Sequence, residues 1–231
     1  MADVITREPE SVAVPAPRVG VAARKYVTEF IGTFFLTFAV GVAALSGSVF
    51  VPLAAGATLM VMIYAGGHIS GAHYNPAVTL AALVRRRIGI GDASAYWIAQ
   101  VAGGVIAAVI ARAVVNPAGV KTLTLSGHAE AAAAVVELLI TFALCYVVLN
   151  VATAKGTSGN SFYGLAIGFT VFAGAVAVGT ISGGAFNPAV ALGIMTFGLS
   201  AWKNIWIYFV AEAAGAALAG VTFKAMNPTD P

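Results

Sequence analysis

One sequence pattern occurs twice in this chain, at positions 67–80 and again at 179–192. Both copies contain Asn-Pro-Ala, and the two asparagines are 187 − 75 = 112 residues apart. The same offset aligns Gln100 with Glu212, so the similarity extends well beyond the tripeptide. The chain is therefore an internal duplication, and its fold must bring two copies of one unit together.

Each Asn-Pro-Ala stands between a glycine-rich stretch and a short apolar run, which covers residues 76–84 in the first copy and 188–197 in the second. Such a run is too short to cross a bilayer, which takes about 20 helical residues. Irregular backbone at membrane depth is tolerated only where it lines a cavity or is buried in protein. The duplicated unit therefore predicts a re-entrant loop followed by a half-helix.

The composition places the whole chain in a membrane. Of its 231 residues, 60% are hydrophobic and 9% are charged, and the mean hydropathy is +0.92. These values are far too apolar for a soluble domain of this length. We expect an all-α integral membrane protein with two half-helices and six spans, at about 26–48, 50–66, 92–113, 130–152, 161–179 and 201–223.

Three spans per repeat is an odd number, so the second repeat must enter the membrane inverted relative to the first. The two half-helices then enter from opposite faces and meet near the midplane. This gives five segments: a cytoplasmic tail (1–24), repeat one (25–113), a connecting extracellular loop (114–129), repeat two (130–223) and a cytoplasmic C-terminus (224–231).

The basic residues predict the orientation. Three of them fall on one side of the predicted topology, at Arg112, Lys121 and Lys203. Nine fall on the other side, at Arg7, Arg18, Arg24, Lys25, Arg85, Arg86, Arg87, Lys155 and Lys224. The excess predicts that both termini are cytoplasmic. Lipid headgroups account for the net charge of +3, so no nucleic-acid partner is expected.

Chemistry on a covalent intermediate or a cofactor is not expected. The single cysteine, Cys145, lies within a span as a small apolar residue, and it supports neither a disulfide nor a metal site. No nucleophile is accompanied by a base. The compact loops and the absence of a targeting signal favour a bacterial inner membrane.

The half-helix ends predict a pore centre. A helix N-terminus inside the membrane presents unpaired N–H groups and about half a positive charge, which repels cations. Each asparagine is expected to cap its helix, with its NH₂ directed to the lumen, and each proline to occupy the first turn. A passing water would offer its oxygen to both amides, which breaks a proton wire. The midplane residues are Asn75, Pro76, Ala77, Asn187, Pro188 and Ala189.

The loops before the asparagines are rich in small residues, and extended backbone there would turn carbonyls toward the lumen. These acceptors would form a ladder on an otherwise apolar wall, from Gly71, Ala72, His73, Gly183, Gly184 and Ala185. His73 has two further interpretations, as a group that binds loop backbone or as a pH-sensitive group near the mouth.

Two acids occupy matching places, Glu29 in the first span of repeat one and Glu137 in the first span of repeat two. Ionisable groups within spans are costly and are commonly functional. They could couple transport to protons, or they could accept hydrogen bonds from the loop N–H groups. The second interpretation is favoured, because the chain lacks a series of acids or histidines to relay a proton. Glu212 is expected to bond neighbouring helix or loop groups.

The paired Asn-Pro-Ala half-helices, the stretch 67–80, and the paired Glu29 and Glu137 resemble the aquaporin family, or major intrinsic proteins, over nearly all of residues 25–223. The resemblance implies a right-handed six-span bundle, one pore per protomer and a homotetramer in the lipid bilayer. These three properties come from the resemblance and not from composition.

The resemblance also implies a selectivity filter at Ala55, Ala175, Gly184 and Val190. In water-selective members these positions hold a large aromatic, a histidine, a small residue and an arginine, and glycerol-conducting members keep the arginine beside two aromatics. Here all four are small or aliphatic. The filter is therefore expected to be wide and weakly polar, similar to members that pass neutral metalloid hydroxides. Without the arginine, Lys121 or His128 is a candidate for a substitute barrier against ions.

The expected function is a passive channel for water and small uncharged solutes such as glycerol, urea and arsenite. The main alternative is an ion-coupled secondary transporter, which also uses inverted repeats and broken helices around a midplane site. A scaffolding protein with a vestigial pore is a third possibility, which the short loops disfavour.

Overall fold

A computed structural model of the chain describes residues 20–230, so most of the predicted N-terminal tail (1–19) and Pro231 lie outside the described residues. Six helices are long and apolar enough to cross a membrane. They are α1 (Val21–Leu45), α2 (Val51–Ser70), α4 (Ile90–Val115), α5 (His128–Thr153), α6 (Tyr163–Ser182) and α8 (Ile205–Met226).

Two short helices, α3 (Pro76–Val84) and α7 (Pro188–Phe197), follow the loops 71–75 and 183–187. Six crossings place the start of α1 and the end of α8 at the same face of the bundle, here named the terminal face. The connection 116–127 lies at the opposite face.

Helices α2 and α6 continue four and three residues beyond their predicted ends, to Ser70 and Ser182. They end where Gly71 and Gly183 adopt left-handed backbone, with φ of +86° and +94°. That conformation is accessible to glycine at little cost, and it reverses the chain toward the membrane centre. The glycine-rich stretch is thus helical up to the last residue before the loop.

The helix contacts follow the duplication. In repeat one α1 packs on α2 and α4, and in repeat two α5 packs on α6 and α8 in the same way. Each half-helix packs against the last helix of the other repeat, α3 on α8 and α7 on α4. Helices α2 and α6 pack on each other. The two repeats therefore interlock and share one interior.

Glycines let the helix backbones approach closely at equivalent places. A Cβ on Gly103 of α4 would lie 2.6 Å from the Phe30 carbonyl oxygen, and one on Gly215 of α8 would lie 2.5 Å from that of Leu138. Neither distance is compatible with a methyl group. Such small-residue contacts are the usual means of helix association in lipid, where no hydrophobic force drives it.

The outer surface of the bundle is apolar, unlike that of a soluble protein. Large apolar side chains such as Phe35, Ile98 and Val210 are exposed on the outer surface, where lipid would cover them. Four acidic and amide side chains are fully buried between the helices: Glu29, Gln100, Glu137 and Glu212. The interior is thus built around the loops that precede the half-helices.

Candidate pore at the half-helix ends

Both asparagines cap their half-helices. The Oδ1 atom of Asn75 accepts a hydrogen bond from the Ala77 N–H at 2.8 Å, and that of Asn187 accepts one from the Ala189 N–H at 3.0 Å. Pro76 and Pro188 occupy the first helical position, where a missing N–H costs nothing. Each side chain thus satisfies one of the free N–H groups that a helix start exposes.

The two asparagines also bind the opposite loops, in a reciprocal manner. Asn75 Nδ2 donates to the Phe186 carbonyl at 2.8 Å, and Asn187 Nδ2 donates to the Tyr74 carbonyl at 2.9 Å. A side-chain amide has two N–H groups, so one on each asparagine is left over. The prediction was that the whole NH₂ of each asparagine faces the lumen, whereas one of its two N–H groups binds the other repeat.

Glu29 holds the first loop by its backbone. Its Oε1 accepts from the Ser70 hydroxyl at 2.7 Å and from the His73 N–H at 2.9 Å. Its Oε2 accepts from the Tyr74 N–H at 2.6 Å and from Gln100 Nε2 at 2.8 Å. Four donors on one carboxylate compensate for much of the cost of burying the charge.

Glu137 does the same in the second loop. Its Oε1 accepts from the Ser182 hydroxyl at 2.6 Å and from the Ala185 N–H at 3.0 Å, and its Oε2 accepts from the Phe186 N–H at 2.8 Å. The geometry agrees with the second of the two interpretations weighed for these acids, a buried acceptor for the loops.

A cavity of about 30 Å³ lies between the loops, which is enough room for water. Asn75 and Asn187 both line it. So do Ala72, His73 and Ala185 of the predicted carbonyl ladder, together with apolar side chains that include Leu36, Val40, Leu59 and Val171. The wall is thus apolar except at the loops.

The loop carbonyls are free to act as acceptors. The carbonyls that accept an N–H from Asn187 and Asn75 belong to Tyr74 and Phe186, one position beyond the predicted ladder. The carbonyls of 71–73 and 183–185 accept no hydrogen bond from the described part of the chain. Gly71 and Gly183 are not among the residues that line the central cavity.

A larger cavity of about 760 Å³ opens from the terminal face toward the loops. Its lining includes His68, Arg87, Lys155 and Asn160. His73 lines both cavities, so they meet at the first loop. The two together form a passage from the terminal face to the half-helix ends.

His73 is held in place by three contacts. Its N–H donates to Glu29, its ring Nδ1 lies 3.0 Å from the Thr79 hydroxyl, and the ring packs edge-on against Tyr96 with 5.2 Å between ring centroids. Thr79 also receives a hydrogen bond from Gln100 at 2.9 Å. His73 is thus part of the network that supports the loop.

Three of the four predicted filter residues, Ala55, Gly184 and Val190, line the central cavity. Ala175 does not, although its Cα lies 3.7 Å from the place a Cβ on Gly184 would take. Neither Lys121 nor His128 is among the residues that line this cavity.

Other predicted residues lie behind the pore wall. Ala77 and Ala189 are buried outside the cavity lining. The Pro76 carbonyl accepts a hydrogen bond from the Trp97 indole at 3.1 Å, and Pro188 is buried at the start of α7. These residues shape the half-helix ends without facing the lumen.

Sequence reasoning missed the roles of Ser70, Ser182, Tyr74 and Phe186, which donate to the acids or accept from the asparagines. Each pair is related by the same offset as the two asparagines, since 182 − 70 and 186 − 74 both equal 112. The duplication itself therefore carried a signal that could have identified them.

The family model "Major intrinsic protein" matches residues 18–223. The chain is 38% identical to "Glycerol uptake facilitator protein-like 6" of Lactiplantibacillus plantarum, with 90% of this chain and 100% of that protein covered. It is also 38% identical to "Aquaporin NIP2-1" of Oryza sativa subsp. japonica, over 87% of this chain and 69% of that protein.

The fold is similar to that in the X-ray structure of the aquaglyceroporin from Plasmodium falciparum. The TM-score is 0.77 at 21% identity, with 90% of this chain and 98% of that chain covered. The fold, with its six spans and short helices, is thus that of the aquaglyceroporin, as the resemblance implied. By the family match and the identity to its relatives, this chain belongs to the major intrinsic protein family of membrane channels for water and small solutes.

Proposed function

We propose that this protein is a passive channel for water and small uncharged solutes, with a pore in each protomer and a wide filter that lacks arginine. The observation that carries the proposal is the pair of half-helix ends joined through Asn75 and Asn187 beside a cavity with a largely apolar wall. The substrates include glycerol, urea and neutral metalloid hydroxides such as arsenite, in keeping with the glycerol facilitator among its relatives.

Selection against ions follows from the half-helix ends. Two helix N-termini directed at one point make the centre electropositive, so cations are repelled. An anion would leave its hydration shell for an apolar wall that has few compensating donors. A neutral solute faces neither penalty. The remaining N–H of each asparagine and the free loop carbonyls provide the hydrogen bonds it needs.

The way the two repeats are joined favours a channel over a rocking carrier. A carrier must move one bundle against the other around its site. Here the asparagines tie each loop to the other repeat, and each loop is held from within its own repeat by a fully buried carboxylate. A rigid centre of this kind supports continuous passage.

The test is stopped-flow light scattering on proteoliposomes, which compares osmotic water flux with uptake of glycerol, urea and arsenite. For a passive channel, we expect uptake that rises linearly with solute concentration and has a low activation energy. Saturable uptake that depends on an ion gradient would instead identify the ion-coupled transporter. Water flux without uptake of larger solutes would refute the wide filter.

The filter has its own test in Val190→Arg. An arginine would restore bulk and a fixed positive charge to the cavity wall, so passage of the large solutes is expected to fall while water flux is spared. Val190→Leu serves as the control, because it adds bulk without charge. Unchanged solute flux in Val190→Arg would count against this filter assignment.

We propose further that the terminal face is cytoplasmic, in a bacterial inner membrane, and that the protein is a homotetramer. The basic residues at that face include Arg86, Arg87 and Lys155, which supports the orientation. The exposed apolar helix faces provide contact area for neighbouring protomers as well as lipid. Native mass spectrometry and labelling of single cysteines from each side would test both statements.

A further inference from the structure

The two loops have equivalent supports with one difference. In repeat one, Glu29 receives four hydrogen bonds, and the last of them comes from Gln100 Nε2 to Oε2. In repeat two, Glu137 receives three, from the equivalents of the first three donors. The duplication places Glu212 where repeat one has Gln100. A glutamine N–H that donates has been replaced by a carboxyl.

Glu212 is buried without a partner. Its exposed fraction is 0%, and neither carboxyl oxygen has a hydrogen bond within the described residues. The packing of α5 on α8 and the duplication place its carboxyl beside Glu137, as Gln100 lies beside Glu29. Two ionised carboxylates there would offer only acceptors and would repel each other in a medium of low dielectric constant.

We propose that Glu212 is protonated in the folded channel and donates a hydrogen bond to Glu137, as Gln100 does to Glu29. One proton then serves both acids, because Glu137 gains its missing donor and Glu212 loses its buried charge. Glu212 is thereby a positioning residue for the second loop, which acts through Glu137. The two loops obtain equivalent support by different chemical groups.

Apart from Glu137, the side chains near Glu212 are neutral. Tyr208, one helical turn earlier on α8, directs its hydroxyl to the Ser182 carbonyl, and Cys145 on α5 is a buried thiol. The backbone N–H of Asn187 also faces Glu212, without a hydrogen bond between the two groups. Among the described residues, no basic side chain forms a hydrogen bond with Glu212.

The second repeat also lacks the hydroxyl that accompanies Gln100. Thr79, which receives a hydrogen bond from Gln100, aligns with Ala191 in repeat two. A carboxyl group at 212 therefore has Glu137 as its acidic hydrogen-bonding neighbour, and no hydroxyl stands in for Thr79. The proton between the two acids therefore supplies the fourth hydrogen bond that Glu137 lacks.

Infrared spectroscopy of the purified full-length protein tests the proposal directly. A protonated carboxylic acid gives a C=O stretching band that an ionised carboxylate lacks. We expect this band at neutral pH in the wild type and its loss in Glu212→Gln, because the amide supplies the donor to Glu137 without an acidic proton.

Gln100→Glu is the matched variant in repeat one, and it is expected to create a second band of the same kind. A wild type without the band, or a band that persists in Glu212→Gln, would overturn the proposal. Failure of Glu212→Gln to fold would overturn it as well, because a glutamine performs this role in repeat one. The infrared readout does not depend on which solutes the channel passes.

Discussion

The aromatic residues of the two loops have an unusual backbone conformation. Tyr74 and Phe186 both have φ of +49°, a left-handed conformation that costs a residue with a side chain about 1–2 kcal/mol. Each is fully buried and donates its N–H to the carboxylate of its own repeat. In return, each presents its carbonyl to the asparagine of the other repeat.

Glu29→Gln tests how much the first loop depends on its carboxylate. The amide would keep one acceptor oxygen but place an NH₂ group against loop N–H groups, which leaves buried donors unpaired. We expect a loss of about 2–4 kcal/mol in the free energy of unfolding and a loss of water flux. Thermal unfolding in detergent measures the first. Glu130→Gln, at the start of α5, is the control and should change little.

Asn187→Asp tests the half-helix end. Aspartate keeps the oxygen that caps α7, loses the N–H that binds the Tyr74 carbonyl, and adds a negative charge at the pore centre. We expect proteoliposomes to leak protons or cations, because the charge cancels the positive helix ends. A pH-sensitive dye inside the vesicles measures the leak. Asn227→Asp adds the same charge at the terminal face, and an equal leak there would contradict the prediction.

At the scale of helices, the length of the apolar runs was sufficient to predict the six spans and the two short helices. The predicted ends of α2 and α6 were too early, because glycine-rich sequence such as that at Gly66 and Gly67 is typical of loops in water. In the structure the lack of a side chain at Gly66 makes room for the Tyr74 hydroxyl and for Thr28. Tertiary contacts there override local propensity.

Gly103→Ala tests the contact between α1 and α4. The added methyl would lie 2.6 Å from the Phe30 carbonyl oxygen, so the helices must separate. We expect destabilisation by about 1–3 kcal/mol, as for other overpacked sites. Gly91→Ala is the control in the same helix, where a Cβ meets nothing within 4 Å. It should raise stability by about 0.5–1 kcal/mol, and equal losses in both variants would refute the contact argument.

At the scale of the whole molecule, Arg85 joins three parts of the chain at the terminal face. Its guanidinium is buried over the Phe223 ring, donates to the Thr153 hydroxyl at 2.7 Å, and binds the Asp230 carboxylate at 3.1 Å. The sequence analysis counted Arg85 among the residues that set orientation. The sequence around Arg85 does not show that it is buried while its neighbours Arg86 and Arg87 are not, because its partners are far away along the chain.

The Asp230 contacts predict a dependence of stability on pH. The Lys155 N–H, with Arg85 and Arg87, holds the pKa of Asp230 below its ordinary value. A depressed pKa in the folded state means that the contribution is present above the unfolded value of about 3.9 and is lost as pH falls through the folded value. Thermal unfolding between about pH 6 and 2 measures this loss. Asp230→Asn should reduce the slope, and an unchanged slope would contradict the assignment.

The reciprocal asparagine bonds also govern when the pore centre can form during synthesis. Asn75 needs the carbonyl of Phe186, which lies 111 residues later in the chain. When repeat one has entered the membrane, the Asn75 amide therefore lacks this acceptor, because the ribosome has not yet synthesised Phe186. Repeat one therefore cannot complete its loop contacts by itself, and the loop reaches its final shape only after the inverted second repeat has inserted.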